Sequence, residues 1–361
     1  VGVKAMNEEL ARLKKNKEVK PKDKESRGKM DVYHPINMKD SSKKNKLLKQ
    51  DGGLGVDIEK YIEAITSEPP SGKDSRMWGR NKKMTNSADE DQDVIDIGLP
   101  ALVAIVYDKE EKKFHHVNTC PGAGECRLYC YARRGQYGMN DGKILKSLQM
   151  VNFLLNDPEN FYLRLKDEIE AVAMEAKIRL RRNPKSRLLV RWNDSGDFFS
   201  EKYLKIAKEI TKDLIERGYP IKSYAYTKVA DRYLQGNDDF VMNFSTGSKP
   251  SEVNKLDLTK TKYSDVVEKI DIDNNPVFKD LFLKPEKGYE GLPKFIEGGA
   301  SELKKRISKK YNVQLERLMY QWELPSEEGS KFQYDVIVMP SGDSDIGAQR
   351  MDVQRTFLLF H

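Results

Sequence analysis

The chain is short of almost everything that would classify it at a glance. Among its 361 residues there are only three cysteines, four histidines and three tryptophans. No apolar run approaches the roughly 20 residues that a bilayer crossing requires, and the N-terminus lacks the charged-then-apolar order of a secretory signal. The expectation is therefore a cytoplasmic protein with no membrane association. Three cysteines within eleven residues make a poor disulfide framework, and they suit a reducing compartment where thiolates serve metals or catalysis. No finger, helix-turn-helix or ribonucleoprotein signature accompanies them, and no internal repeat of fixed period is evident.

The length allows a large core, yet only 38% of residues are hydrophobic and 34% are charged, so part of the chain is expected to lie outside that core. The charge locates one such part. Residues 1–50 carry 15 Lys/Arg against 7 Asp/Glu, a net of +8; the whole chain nets +7, which leaves −1 for the other 311 residues. A lysine-rich arm attracts phosphate without reading sequence, so nucleic acid is the expected partner for residues 1–50; a merely solvated leader is the plainer alternative.

Residues 1–92 read as a basic, largely irregular leader. From residue 93 to 247 the pattern becomes that of a βα core. A strand is expected at Leu99–Tyr107, with Phe114–Val117 as a hairpin partner. Helical spacing runs from Ile144 to about Arg181, broken at Asp157-Pro158. A rhythm of apolar run and helix follows: strand Leu188–Trp192, helix Glu201–Arg217 with Ser200 as its N-cap, strand Ile221–Tyr226, helix Val229–Leu234 and strand Phe240–Phe244. Residues 248–332 read as a charged insertion with a helix near Ser301–Met319, and residues 333–361 as C-terminal strands, Asp335–Met339 and Thr356–Phe360, that complete the core. Strand–helix–strand alternation argues for an α/β fold with a parallel sheet.

In such sheets function collects in the loops that leave the carboxyl ends of the strands. The unusual polar residues sit there: Asn193-Asp194-Ser195-Gly196-Asp197, Thr227-Lys228, Ser245-Thr246-Gly247 and Ser341-Gly342-Asp343. The loop Cys120-Pro121-Gly122-Ala123-Gly124-Glu125-Cys126-Arg127-Leu128-Tyr129-Cys130 spaces its thiols closely enough for one metal centre to take all three. A cubane cluster held by three thiolates keeps one iron open to another ligand. Zinc would need a fourth ligand, which His115 or His116 is near enough to supply.

The order of these motifs carries a resemblance. Asn86, Asp96-Ile97-Gly98-Leu99-Pro100, Thr119-Cys120-Pro121-Gly122, Cys130-Tyr131-Ala132 with Gly135 and Tyr137, Arg191-Trp192 running into Ser195-Gly196-Asp197-Phe198-Phe199, and Tyr224-Ala225-Tyr226-Thr227-Lys228 together resemble the bacteriophage family called gene product eighty-eight, over about residues 84–247 and the last strands. That family is itself similar to radical-SAM enzymes, and the resemblance implies a partial (βα) barrel of radical-SAM type. It implies a [4Fe-4S] cluster on Cys120, Cys126 and Cys130, with Tyr129 at the aromatic position before the last thiol, and an electron donor as partner. It also implies S-adenosylmethionine as cofactor, with Asn193, Asp194, Ser195, Gly196 and Asp197 toward its methionine moiety, and Thr227, Lys228 and Ser245 toward its carboxylate or the substrate. Lys228 and Tyr226 are the candidate catalytic side chains. The implied activity is reductive cleavage of S-adenosylmethionine to modify a phage or host target, nucleic acid or nucleotide included. The thiol spacing, five and three intervening residues, departs from the usual three and two, and the absence of cysteines toward the C-terminus argues against a second cluster.

Plainer readings stand beside these. Asp197 and Ser200 serve equally well as caps of the helix at Glu201, Trp192, Phe198 and Phe199 as core, and Lys228 as an ordinary strand-end lysine. A non-enzymatic nucleic-acid-binding protein stabilised by zinc is the rival from a different class.

Overall fold

The computed structural model describes residues 33–36, 76–80, 92–109, 113–127, 130, 132, 141–267, 299–326, 328–338 and 345–359. The chain divides into two compact units. One comprises residues 1–79, 96–175 and 192–219, and the other residues 80–95, 176–191 and 220–361.

The first unit holds a three-stranded antiparallel sheet, in which β3 (Val103–Asp108) and β4 (Lys113–Asn118) form the expected hairpin and β1 (Tyr33–Ile36) pairs with the other side of β4. Helix α1 (Asp141–Asn156) packs on this hairpin. It is tied there by Asn152, whose Oδ1 accepts from the Tyr107 amide at 2.9 Å, and by Asn156, whose Nδ2 donates to the Tyr107 carbonyl at 2.8 Å. Asp157 separates α1 from α2 (Pro158–Leu180): its Oδ1 accepts from the Asn160 amide at 3.3 Å, while Pro158, which has no amide to leave unsatisfied, begins the next helix. Phe153 and Phe161 meet edge-to-face across that break at 5.7 Å.

Helix α3 (Glu201–Glu216) shows most plainly how sequence sets an element. Tyr203, Leu204, Ala207, Ile210 and Leu214 recur on one face and are fully buried. The outer face carries Lys205–Glu209 and Lys212–Glu216 pairs, exposed and worth only a few tenths of a kcal/mol each. Ser200 caps the start, accepting from the Tyr203 amide at 3.2 Å. The end is a Schellman turn: Gly218 at φ 75° donates to the Ile215 carbonyl and Tyr219 to that of Leu214.

The second unit is built on an eight-stranded sheet in the order β2-β5-β6-β7-β8-β11-β10-β9. The strands are β2 (Gln92–Ile97), β5 (Arg187–Trp192), β6 (Ile221–Thr227), β7 (Phe240–Ser245), β8 (Tyr263–Val267), β9 (Leu318–Tyr320), β10 (Tyr334–Val338) and β11 (Val353–Leu359). The last residues of β2 and β5 open the 96–175 and 192–219 segments of the first unit. From β6 through β9 the neighbouring strands pair in parallel. All six residues of β7 are buried, as strands covered on both faces require. Short helices α4 (Ala230–Tyr233) and α5 (Pro250–Val253) and the longer α6 (Gly299–Tyr311) connect strands. The fold is thus mixed α/β with a mostly parallel sheet. That sheet has two edges, β2 and β9, and does not close.

The expected hairpin is present, Val103–Asp108 pairing with Lys113–Asn118, and it belongs to the three-stranded sheet, since so short a turn cannot make a parallel crossover. The strand beside β5 is instead β2, whose Asp93 and Asp96 hid it from hydrophobic patterning. Residues 248–332, read as an insertion that interrupts the sheet, contribute β8 and β9 to it. Charge explains the misreading: β8 carries Asp265, whose carboxylate is held by the Arg355 guanidinium of β11. The leader, apart from β1 and residues 76–80, lies outside the described residues.

Candidate functional site

In the first unit the expected site residues are joined by a chain of backbone contacts. The loop after β5 lies against the segment after β2: the Asn193 amide donates to the Ile97 carbonyl at 2.7 Å and the Leu99 amide to the Ser195 carbonyl at 2.9 Å. Both glycines at this seam are there for space. A β-carbon on Gly98 would stand 2.2 Å from Asp194 Oδ1, and one on Gly196, at φ 82°, would stand 2.9 Å from Leu99 Cβ. Asn193 is itself left-handed at φ 57°, and its Oδ1 accepts from the Tyr203 hydroxyl at 3.1 Å. Its Nδ2 is buried and makes no hydrogen bond among the described residues. Burial, then the Asp194 and Asp197 carboxylates, holds the Tyr203 hydroxyl protonated far above the ordinary tyrosine range. Asp197 is fully buried and its Oδ1 accepts from the Phe198 amide at 2.7 Å, which gives it a local turn-forming role beside any other. Trp192, Phe198 and Phe199 pack around the Tyr203 ring as core.

The chain of contacts continues to the cysteines. Thr119 Oγ1 donates to the Pro100 carbonyl and its amide to the Leu102 carbonyl at 3.2 Å. Leu102 is left-handed at φ 66°, rare for a bulky side chain, and in that conformation its amide donates to Cys120 Sγ at 3.3 Å. Cys120 is buried in a small cluster with Leu102 and Ala123, against which Cys126 packs half-buried. Cys130 is also half-buried. Among the described residues, no three His, Cys, Asp or Glu side chains are arranged to hold a metal ion. The donor set is therefore brought together in part. Cys120 is buried and accepts a hydrogen bond from the Leu102 amide, and Cys126 adjoins it. Of the two histidines weighed for zinc, His115 is buried and His116 half-buried on β4. Tyr129, Asn86, Gly135 and Tyr137 lie outside the described residues.

One residue here was not legible in the sequence. Lys146, a single polar position on α1, donates to the Trp78 carbonyl at 2.9 Å. Burial lowers its pKa, and the Asp96, Glu168 and Asp194 carboxylates oppose that. Only the fold could reveal a lysine facing three carboxylates that lie far from it in sequence.

The remaining candidates, Tyr226, Thr227, Lys228 and Ser245, belong to the second unit. Tyr226 is buried with the Arg191 guanidinium 5.5 Å from its ring, and burial, then Asp345, raises its hydroxyl pKa well above the ordinary value. Asp345 is the organising charge: it accepts from the Tyr224 hydroxyl at 3.0 Å and pairs with Arg191 at 3.0 Å. Thr227 alternates to the opposite face, where its Oγ1 accepts from the Val229 amide at 3.2 Å. Lys228 is half-buried, and Ser245 is buried with its carbonyl accepting from the Ser248 hydroxyl. Asp345 was missed because it stands two residues beyond the Ser341-Gly342-Asp343 run to which the sequence drew attention.

The family described as Gene product 88 matches residues 75–306. The chain belongs to that family. The match takes in both the cysteine loop and the seam between the loops after β2 and β5, so the contacts above join residues inside the Gene product 88 region. No curated protein and no solved structure matches the chain. None of the described helices is long and apolar enough to cross a membrane.

Proposed function

We propose that this Gene product 88 protein is an iron–sulfur enzyme of radical-SAM type, built on a partial (βα) barrel, that modifies a phage or host target, with nucleic acid or a nucleotide as the favoured class. One observation carries the reading: Leu102 is held in a left-handed conformation that aims its amide at the buried Cys120 sulfur, and that thiol is tied through Thr119, Pro100 and Leu99 to the Asn193–Asp197 loop. A hydrogen bond donated by a backbone amide to a sulfur favours thiolate over thiol, the form a metal centre requires.

In this reading Cys120, Cys126 and Cys130 would hold a [4Fe-4S] cluster. When bound, such a cluster would supply one-electron reduction of S-adenosylmethionine, with an external electron donor as partner. The protein's own residues bind and orient. Asn193 offers a buried Nδ2 donor to an acceptor oxygen of a bound molecule. Asp194 and Asp197 supply carboxylates for an amino group, and Ser195 and Gly196 allow close backbone approach. Thr227, Lys228 and Ser245, which the family resemblance assigns to the cofactor's carboxylate or the substrate, belong to the second unit, as does Tyr226, the other candidate catalytic side chain beside Lys228. Burial of Cys120 keeps water from its sulfur. The basic residues 1–50 bring in the polyanion.

The test is metal and sulfide analysis of protein purified without oxygen, beside the Cys126→Ala variant. The expected result is about four irons and about four sulfides per chain, lost in the variant. One zinc and no sulfide would overturn the reading and favour a zinc-stabilised nucleic-acid-binding protein.

A further inference from the structure

Buried polar atoms in folded proteins nearly always have a hydrogen-bond partner, from protein or ordered water, and each exception asks for an explanation. In the second unit five such exceptions share one face of the sheet. Asn243 Oδ1, Ser264 Oγ, Thr356 Oγ1 and Gln349 Oε1 are buried and lack a partner among the described residues, and the Tyr226 OH makes no hydrogen bond of good geometry, its nearest polar neighbour being the Asp345 carboxylate.

Their common face follows from register. Tyr226 on β6 stands opposite Asn243 on β7. Two residues on, Ser245 stands opposite Ser264 on β8, and Ser264 stands opposite Thr356 on β11. In parallel strands, residues in register and residues two apart point to the same side. Tyr224 and Tyr226 share an apolar cluster with Val241 and Ala348, against which Leu358, two residues beyond Thr356, also packs. Gln349 belongs to the single turn Ile346–Gln349 over this face, and the Ala348 carbonyl accepts from Asn243 Nδ2 at 3.1 Å. With strands about 4.8 Å apart, the row from Tyr226 to Thr356 spans on the order of 14 Å, more than a single water would bridge.

The chemistry of the row selects a ligand class. Asn243 Nδ2 is committed to the Ala225 and Ala348 carbonyls, so the amide orientation is fixed and its Oδ1 can only accept. Gln349 Oε1 is likewise an acceptor, while the three hydroxyls both donate and accept. The charges at this face, Arg191 and Asp345, are paired with each other. The row therefore offers two amide acceptors and three hydroxyls that both donate and accept, and among the described residues the charges beside it are paired. We infer that this face of the sheet binds a neutral small molecule of nucleoside type, whose base edge and ribose hydroxyls supply both kinds of partner. The inference rests on the proposed function in that Tyr226 and Ser245, assigned there to cofactor or substrate, lie on this face; it does not need the metal, since none of its residues belongs to the cysteine loop.

The test uses the full chain, metal-free, with the four common ribonucleosides as probes in calorimetric titration. Saturable binding of at least one is expected, weakened tenfold or more in Ser264→Ala/Thr356→Val, where only two unpartnered hydroxyls are removed and the melting temperature should hold or rise. Tyr226→Phe, which deletes a third hydroxyl and leaves the ring, should weaken binding in the same sense and guards against a misfolded double variant. Absence of saturable binding at millimolar nucleoside would overturn the inference and leave buried water as the occupant. So would equal affinity in all three proteins.

Discussion

At the residue scale, the seam between the loops after β2 and β5 is defined by what two glycines leave out. A methyl group on Gly98 meets the buried Asp194 carboxylate, and Gly196 combines a crowded β-carbon position with a positive φ. Gly196→Ala is expected to lower the unfolding free energy by roughly 1–3 kcal/mol, the usual cost of forcing a side chain into the left-handed region. Gly98→Ala should do similar damage, and Asp194→Ala in the same chain should recover part of it by vacating the space. Denaturant unfolding of both single variants and the double variant would show this as a coupling energy. Strict additivity would mean that the two residues do not touch in solution. Lys146, Asp345 and Leu102 are the residues that sequence reasoning did not reach. A lysine on a helix, an aspartate after a strand and a leucine in a turn are unremarkable until long-range packing sets carboxylates around the first, an arginine and a tyrosine on the second, and a sulfur before the amide of the third.

At the element scale, each helix whose start has a chemical signal should be sensitive there. Ser200→Ala removes the side-chain acceptor of the Tyr203 amide and is expected to cost about 1 kcal/mol, while Ser200→Thr, which keeps a neutral hydroxyl at this buried cap, should retain most of that stability. Equal midpoints for serine and alanine in urea unfolding would contradict the cap. The elements legible in advance were those whose burial followed one period: α3 on its 3.6-residue stripe, the break at Asp157-Pro158, and β5 to β7 as short apolar runs. The elements missed were those stabilised by buried charge. β2 contains Asp93, held by the Arg179 guanidinium of α2, and β8 is preceded by the buried Lys262 and contains Asp265. Hydrophobic patterning cannot register an ion pair whose partner lies some ninety residues away. The cysteine loop was legible as a loop from spacing alone, and the seam that anchors it was legible only as motifs without contacts.

At the scale of the whole molecule, the two units are made of segments that alternate along the chain, so no single cut separates one from the other. A titration that destabilises either unit should therefore register in the unfolding of the full chain. Lys262 provides such a titration. Its side chain is buried in the second unit with Nζ donating to the Val353 carbonyl, and burial pushes its pKa down to about 7, against the pull of Asp352 and Glu328 and with the push of Lys222 and Arg350. The folded pKa lies below the unfolded one, so between pH 7 and the ordinary lysine range the unfolded chain binds the extra proton. Stability must then rise with pH across that window, by up to about 1.4 kcal/mol for each pH unit. Between pH 7 and 9 the wild-type chain is expected to gain unfolding free energy relative to Lys262→Met, a side chain of similar length with nothing to titrate. Parallel stability curves for the two proteins would show that Lys262 keeps its proton in the fold, and with it that Asp352 and Glu328 outweigh the burial of the ammonium group.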